Sequence, residues 1–275
     1  MAQDTAPRYR DAMTPARRDP VLLRALRYAY RVPLLLWHAV VDLPVVLLLM
    51  SPLTGGIQVR GMRLEYRLIR WWSWVLMRVF GITVRGVGPA LPGATMFVAN
   101  HVSWVDIVVL HSQRMMGFVA KREIASWPLI GWMAARAETI FHQRGSTESL
   151  GGVVEQMVAR LRNGQSVGAF PEGGTRGGHG LGPFHARIFT AAVEAAAPVQ
   201  PVALRYGEGG SAQTRVAFQP GENFLQNFLR LLGDPPCVAD VVFLDPIMPG
   251  DAEGRRRIAE TARDRIAEVL PADTP

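Results

Sequence analysis

From Gly81 onward, short apolar runs alternate with segments of helical period, and that alternation restricts the chain to an α/β architecture. The runs at 95–99, 116–120, 139–143, 166–170, 198–205, 214–219 and 239–244 predict strands. Helices are predicted at 104–114, 125–136, 147–162, 184–196, 222–231 and 252–269. The clearest is 147–162, where Leu150, Val153, Val154, Met157, Val158 and Leu161 recur at the spacing of one helix face. The expectation for residues 81–275 is one domain of helices packed around a mixed, largely parallel sheet. No internal repeat is visible.

Residues 1–80 are of another kind. They hold 12 arginines against 5 acidic residues, whereas 81–275 hold 18 basic and 18 acidic residues, so the whole net charge of +7 lies in the first part. The stretch 33–50 (PLLLWHAVVDLPVVLLLM) is apolar and, as a helix, about 27 Å long, close to the thickness of a bilayer core. His38, Asp42 and Pro44 interrupt it, and an Asp at the centre of a span costs roughly 2.5–3.5 kcal/mol. Three forms fit: a poor membrane-spanning helix, a hairpin bent at Pro44, or a helix packed on protein. Partial insertion is favoured. In 59–80, Arg60, Arg63, Arg67, Arg70 and Arg78 fall on a helical arc of about 80° beside Trp71, Trp72 and Trp74. That pattern fits an interfacial helix, or else an ordinary helix packed on the next domain with its arginines in water. Residues 1–80 therefore read as a basic, membrane-associated helical region whose partner is an anionic membrane surface. Zinc-finger spacing and RNA-binding signatures are absent from it, so nucleic acid is not an expected partner. Residues 1–20 read as a polar leader, and the Arg-rich first 32 residues are unlike a cleavable signal peptide. With 49% hydrophobic residues the chain can bury a sizeable core, and with Cys237 as its single cysteine it can form no intrachain disulfide and no cysteine-based zinc site.

Chemistry concentrates in two segments. In Asn100-His101-Val102-Ser103-Trp104-Val105-Asp106 an apolar strand ends at Ala99 and a helix begins near Ser103. Open α/β sheets place ligands at the ends of strands. Imidazole suits the removal of a hydroxyl proton near neutral pH, and a carboxylate on its other nitrogen fixes the tautomer. A separation of five residues requires the strand-to-helix bend to bring His101 and Asp106 together. The second segment, Phe170-Pro171-Glu172-Gly173-Gly174-Thr175-Arg176, follows a strand. Its glycines allow backbone N–H groups to approach an anion, and Arg176 is suited to pair with a phosphate. Glu172 is unusual in an anion site; it either accepts a hydrogen bond from an acceptor hydroxyl or orients Arg176.

Taken together, these segments resemble the paired hallmarks of the glycerophospholipid acyltransferase family, the group that contains 1-acylglycerol-3-phosphate acyltransferases. The resemblance also covers Phe141-His142-Gln143-Arg144, Gln200-Pro201-Val202-Ala203-Leu204, the stretch Phe118 to Ile124 and Trp127 to Gly131, and it spans roughly residues 80–205. It implies transfer of an acyl chain from acyl-CoA or acyl carrier protein to the hydroxyl of lysophosphatidic acid, with lyso-ornithine lipid and other lysophospholipids as alternative acceptors. It implies His101 as general base with Asp106 as its orienting partner. Arg144, Glu172, Gly173, Gly174, Thr175 and Arg176 would bind the head group. Lys121, the only lysine beside 29 arginines, would meet the acceptor phosphate or a phosphopantetheine. No cofactor and no metal are expected, and the expected location is the inner membrane with the site facing the cytoplasm. Two departures stand out: an extra glycine shifts Arg176 along the third motif, and His142-Gln143 replace the usual residues before Arg144. His185, at a helix start after Pro183-Phe184, is a candidate lining residue.

A rival reading is a serine lipase built on Gly164-Gln165-Ser166-Val167-Gly168, a match to Gly-x-Ser-x-Gly. That elbow needs strand, Ser, then helix, and here the predicted order is reversed. Ser103 is close to His101 but does not sit as a nucleophile in the motif, so direct transfer without an acyl-enzyme is expected.

Overall fold

The structure, a computed structural model, describes residues 19–51, 54, 56–126, 130–142 and 147–271. Helix α1 (Val21–Trp37), a π turn (His38–Asp42) and α2 (Leu43–Leu49) run on as one 29-residue helix. There is no hairpin at Pro44. Proline offers no N–H to the carbonyl four residues earlier and crowds it, and the wider π turn just ahead relieves both. A two-strand hairpin follows, β1 (Gln58–Val59) and β2 (Met62–Arg63), and then α3 (Leu64–Val79). Arg60 has a positive φ of 50° in the hairpin turn and Arg63 precedes the helix, so the arginine stripe is shorter than its sequence spacing implied. Ser73, Leu76, Met77 and Val79 of α3 are buried.

The region that carries the two motifs alternates strands and helices. Its elements are β3 (Ile82–Val87), β4 (Met96–Ala99), α4 (Val105–Gln113), β5 (Gly117–Lys121), α5 (Ile130–Arg136), β6 (Ile140–His142), α6 (Thr147–Arg162) and β7 (Val167–Ala169). Then come a 3-10 turn (Ala186–Phe189) leading into α7 (Thr190–Ala195), β8 (Val199–Tyr206), α8 (Gln213–Val216), α9 (Phe224–Gly233), β9 (Cys237–Phe243) and α10 (Gly254–Val269). The seven-stranded sheet has the order β3-β9-β8-β4-β7-β5-β6, with every neighbouring pair parallel except β8–β9. The strand predicted at 214–219 is instead α8: Gln213 donates to Leu204 O and accepts from Tyr206 N, which ties this turn to the end of β8. Strand β3 was not anticipated; it is a half-exposed edge strand with a weak apolar signal.

Alternation along β4 assigns the two faces of the sheet. Phe97 and Ala99 join a core with Leu76, Met77 and Phe80 of α3 and its C-cap, Val105 and Val109 of α4, and Leu231 of α9. Met96 and Val98 join a second core with Val153 and Met157 of α6, Ala191 of α7 and Ala262 of α10. The boundary expected at 80/81 thus passes through the first core, which α3 shares with the sheet. Gly168 of β7 is a packing requirement, because a Cβ there would lie 2.6 Å from the Phe118 ring.

Polar clamps hold the N-terminal helix in place. The buried Arg31 donates to Leu232 O (3.0 Å) and Asp234 O (2.8 Å), the carbonyls that close α9, where a cation is favoured. Its guanidinium lies against Gly81, which has φ 74° and no space for a Cβ. The outward face of the helix, including Val21, Leu22, Leu26, Leu36, Trp37, Val40 and Leu48, is exposed and apolar.

Candidate active site

Strand β4 stops at Ala99, and Asn100 takes its place in the ladder with its side chain, donating to Leu204 O (3.0 Å) and accepting from Leu204 N (2.8 Å). This releases the main chain from the sheet, and His101 leaves it at the carboxyl end of the central strands. Asp106 lies in the first turn of α4, fully buried. Its Oδ2 accepts from Val102 N (2.6 Å) and Ser103 N (2.9 Å) and lies 2.8 Å from His101 Nδ1. The carboxylate thus ties the turn between β4 and α4 to the imidazole. With Nδ1 donating to it, Nε2 is the basic nitrogen. Among the described residues Nε2 takes no partner. The Phe170 ring stacks beneath the imidazole at 4.1 Å and fixes its plane.

The same carboxylate also accepts from the hydroxyl of Tyr206, 2.5 Å from Oδ1. Burial and the charge of Asp106 raise the Tyr206 hydroxyl well above its ordinary value, so it stays a donor. Tyr206 was not singled out in the sequence, being 100 residues from Asp106.

Glu172 is buried and both its oxygens are used by the protein. Oε1 accepts from His101 N and Oε2 from Gly182 N, each at 2.9 Å. It therefore joins the two motif loops rather than facing an acceptor, and of the two roles expected for it the contact with Arg176 remains, at 3.6 Å. Arg176 lies over Gly182, half exposed, and is not in the cavity wall described below. Gly173 turns with φ 74°, donating its N–H to Phe170 O. Lys121 is the last residue of β5, in register with His142 of β6; the described structure of both is their backbone. Arg144 and Gln143 lie outside the described residues.

His101 opens into an apolar cavity of about 1100 Å³. Its wall includes Leu43 and Val46 of the N-terminal helix and Met50 just past its end, Leu76 of α3, Trp104 and Phe118, together with Gly173, Gly174, Thr175 and His185. His185 thus lines the cleft as expected. Arg187, which sequence reasoning passed over, lines it as well. His111 is another wall residue. It is buried, its Nε2 donates to Met116 O (3.0 Å), and desolvation lowers its pKa to about 4, so it adds no charge to the wall. The cavity suits a long apolar chain whose reactive end lies at the imidazole.

Ser166 is at the start of β7, the opposite end of the sheet from His101, and its hydroxyl donates to Gly93 O (2.9 Å). The order helix, Ser, strand is the reverse of a nucleophile elbow, so the lipase reading has no structural basis.

Comparison with known proteins gives the same family. A family model described as Acyltransferase matches residues 82–205. The chain is 36% identical over 208 residues to a lyso-ornithine lipid O-acyltransferase of Pseudomonas aeruginosa, covering 75% of this chain and 80% of that protein. It is 39% identical over 193 residues to a 1-acyl-sn-glycerol-3-phosphate acyltransferase of Neisseria gonorrhoeae, covering 70% and 76%. The fold is similar to the crystal structure of the acyltransferase PlsC from Thermotoga maritima, with a TM-score of 0.67, 17% identity, and coverage of 90% of this chain and 94% of that one.

Proposed function

The chain belongs to the glycerophospholipid acyltransferase family, and from that premise we propose that it transfers a fatty acyl group from a thioester, acyl-CoA or acyl carrier protein, to the free hydroxyl of lysophosphatidic acid. The observation that carries this reading is the His101–Asp106 pair, with His101 in the wall of an apolar cavity. The acceptor hydroxyl loses its proton to His101 Nε2 as its oxygen attacks the thioester carbonyl. The ester C–O bond forms, the C–S bond breaks, and the proton passes from the imidazolium to the departing thiolate. Asp106 stabilises the transient imidazolium, and the cavity orients the chain. Residues 1–80 hold the catalytic region, 81–275, on an anionic membrane surface. The apolar outer face of the 29-residue helix and the lipid acyltransferase relatives support this placement. The location is the inner membrane, with the site facing the cytoplasm. The head group is held by Gly173, Gly174 and Thr175 with Arg144 and Lys121.

A second acceptor, lyso-ornithine lipid, is favoured by one observation: Arg176, suited to a phosphate, is turned onto Glu172 and away from the cavity. The similarity to the Pseudomonas aeruginosa enzyme points the same way. The test is an assay of purified protein with one acyl thioester and a panel of lyso-lipids. The highest kcat/KM is expected with lysophosphatidic acid. Preference for lyso-ornithine lipid establishes the second reading, and preference for a zwitterionic lysophospholipid overturns both.

A further inference from the structure

Tyr206 is a side chain bound directly to Asp106 that the transfer chemistry does not call on. It ends β8, the strand beside β4, and its ring is fully buried in the core under α4. Its backbone is held on both sides: Tyr206 N donates to Gln213 Oε1 (2.8 Å) and Ala212 N donates to Tyr206 O (2.7 Å). The hydroxyl thus has a fixed origin, and at 2.5 Å from Asp106 Oδ1 it lies in the range of a hydroxyl donating to an ionised carboxylate. The three other donors, His101 Nδ1, Val102 N and Ser103 N, all meet Oδ2.

We propose that Tyr206 is a positioning residue for the transfer reaction: by holding Asp106 Oδ1 it locks the carboxylate with Oδ2 toward His101 and moderates the negative charge that the imidazole senses. This rests on the reading of His101 as the base. The division of labour follows from geometry. Three donors on one oxygen leave the other to be held from a different direction, and the buried phenol is placed to do it. A carboxylate that shares its charge with a strong donor is a weaker proton acceptor, so the proton on Nδ1 stays on the ring. It also stabilises the imidazolium less than a bare carboxylate, which keeps the proton on Nε2 transferable to the leaving thiolate. Among the described residues, the other titratable groups near this cluster are Cys237 beside the phenol, Glu172 on His101 N, Arg176 on Glu172 and His185 across Gly173; His111, on the same helix α4, is neutral and bonded to Met116 O.

The test is Tyr206→Phe, which removes one hydroxyl. The ring titration of His101 is followed by NMR on protein labelled with 15N-histidine, its signal assigned by its loss in His101→Ala. The expected midpoint moves to higher pH by roughly half a unit or more, because the carboxylate now acts undiluted on the ring. In the acyl-transfer assay kcat falls about tenfold while KM for the lyso-lipid stays within about twofold. An unmoved titration overturns the proposal, as does a higher KM with kcat unchanged, which would mark a merely structural role. If circular dichroism shows Tyr206→Phe to be unfolded, incorporation of 3-fluorotyrosine at 206 keeps the ring and strengthens the donor. The midpoint is then expected to move down, and a static one overturns the proposal. The NMR readout needs no turnover, so a wild-type protein that transfers no acyl chain contradicts the functional reading and leaves the role of Tyr206 to be judged on its own.

Discussion

Among the described residues two histidine–aspartate pairs share nearly the same distance, His101–Asp106 at 2.8 Å and His38–Asp42 at 2.9 Å, in different surroundings. His38 lies in the π turn of the N-terminal helix. Its Nε2 donates to Trp72 O (3.0 Å), its ring stacks on Trp72, and its side chain is 1% exposed. Both nitrogens are occupied, so this pair can only hold the helix to α3. His101 has its Nδ1 on the carboxylate and 16% of its side chain exposed at the cavity. A His–Asp pair becomes a candidate base when its second nitrogen meets a substrate space, and a clamp when that nitrogen meets a backbone carbonyl.

The widest separation between the pairs is expected on neutralising each carboxylate. Asp106→Asn removes the charge that stabilises the imidazolium, and kcat should fall about 10³-fold. Asp42→Asn should leave kcat of the folded protein within about twofold. Steady-state transfer rates per folded molecule check both. A comparable loss in both variants would break the comparison.

His111 sharpens it from a third direction, being a buried ring with a backbone carbonyl on Nε2 and a pKa lowered by desolvation from 6.5 to about 4. Between those values the unfolded chain binds a proton that the folded chain does not, so stability should fall as pH drops through this window, by about 3 kcal/mol. Urea unfolding of the wild type and of His111→Gln at pH 7 and pH 4.5 reads it. The variant should lose less on acidification, with the difference absent above pH 7.

The smallest effect concerns the clamp. His38→Ala should cost about 2 kcal/mol of stability, by urea midpoint, through loss of two buried hydrogen bonds and the stack on Trp72.

The pairing of His101 with Asp106 was legible because it is local: five residues, one strand end and one helix start determine it. The helix at 147–162 was legible to the residue because its apolar face repeats without interruption. What depends on strands meeting across the sheet was not. Tyr206 reaches Asp106 only because β8 pairs with β4, and nothing in the residues around 206 announces it. Glu172 is unusual in a glycine-rich loop and left two roles open, an acceptor contact or the orientation of Arg176; the N–H groups that explain its burial belong to residues 101 and 182, far from it in the chain. The run at 214–219 was apolar enough for a strand, but Gln213 fixes the turn as helical through bonds to residues earlier in the chain. The role of Arg176 was already in question from the added glycine, and in the structure it lies against Glu172.

The most direct measurement is the acyl-transfer rate of His101→Ala beside that of His38→Ala, each per folded molecule, with one acyl thioester and saturating lyso-lipid. Removal of the imidazole that opens on the cavity should abolish transfer, by about 10³-fold or more, while removal of the occupied one leaves the rate within about twofold. A His101→Ala protein that still turns over at the wild-type rate would contradict the account.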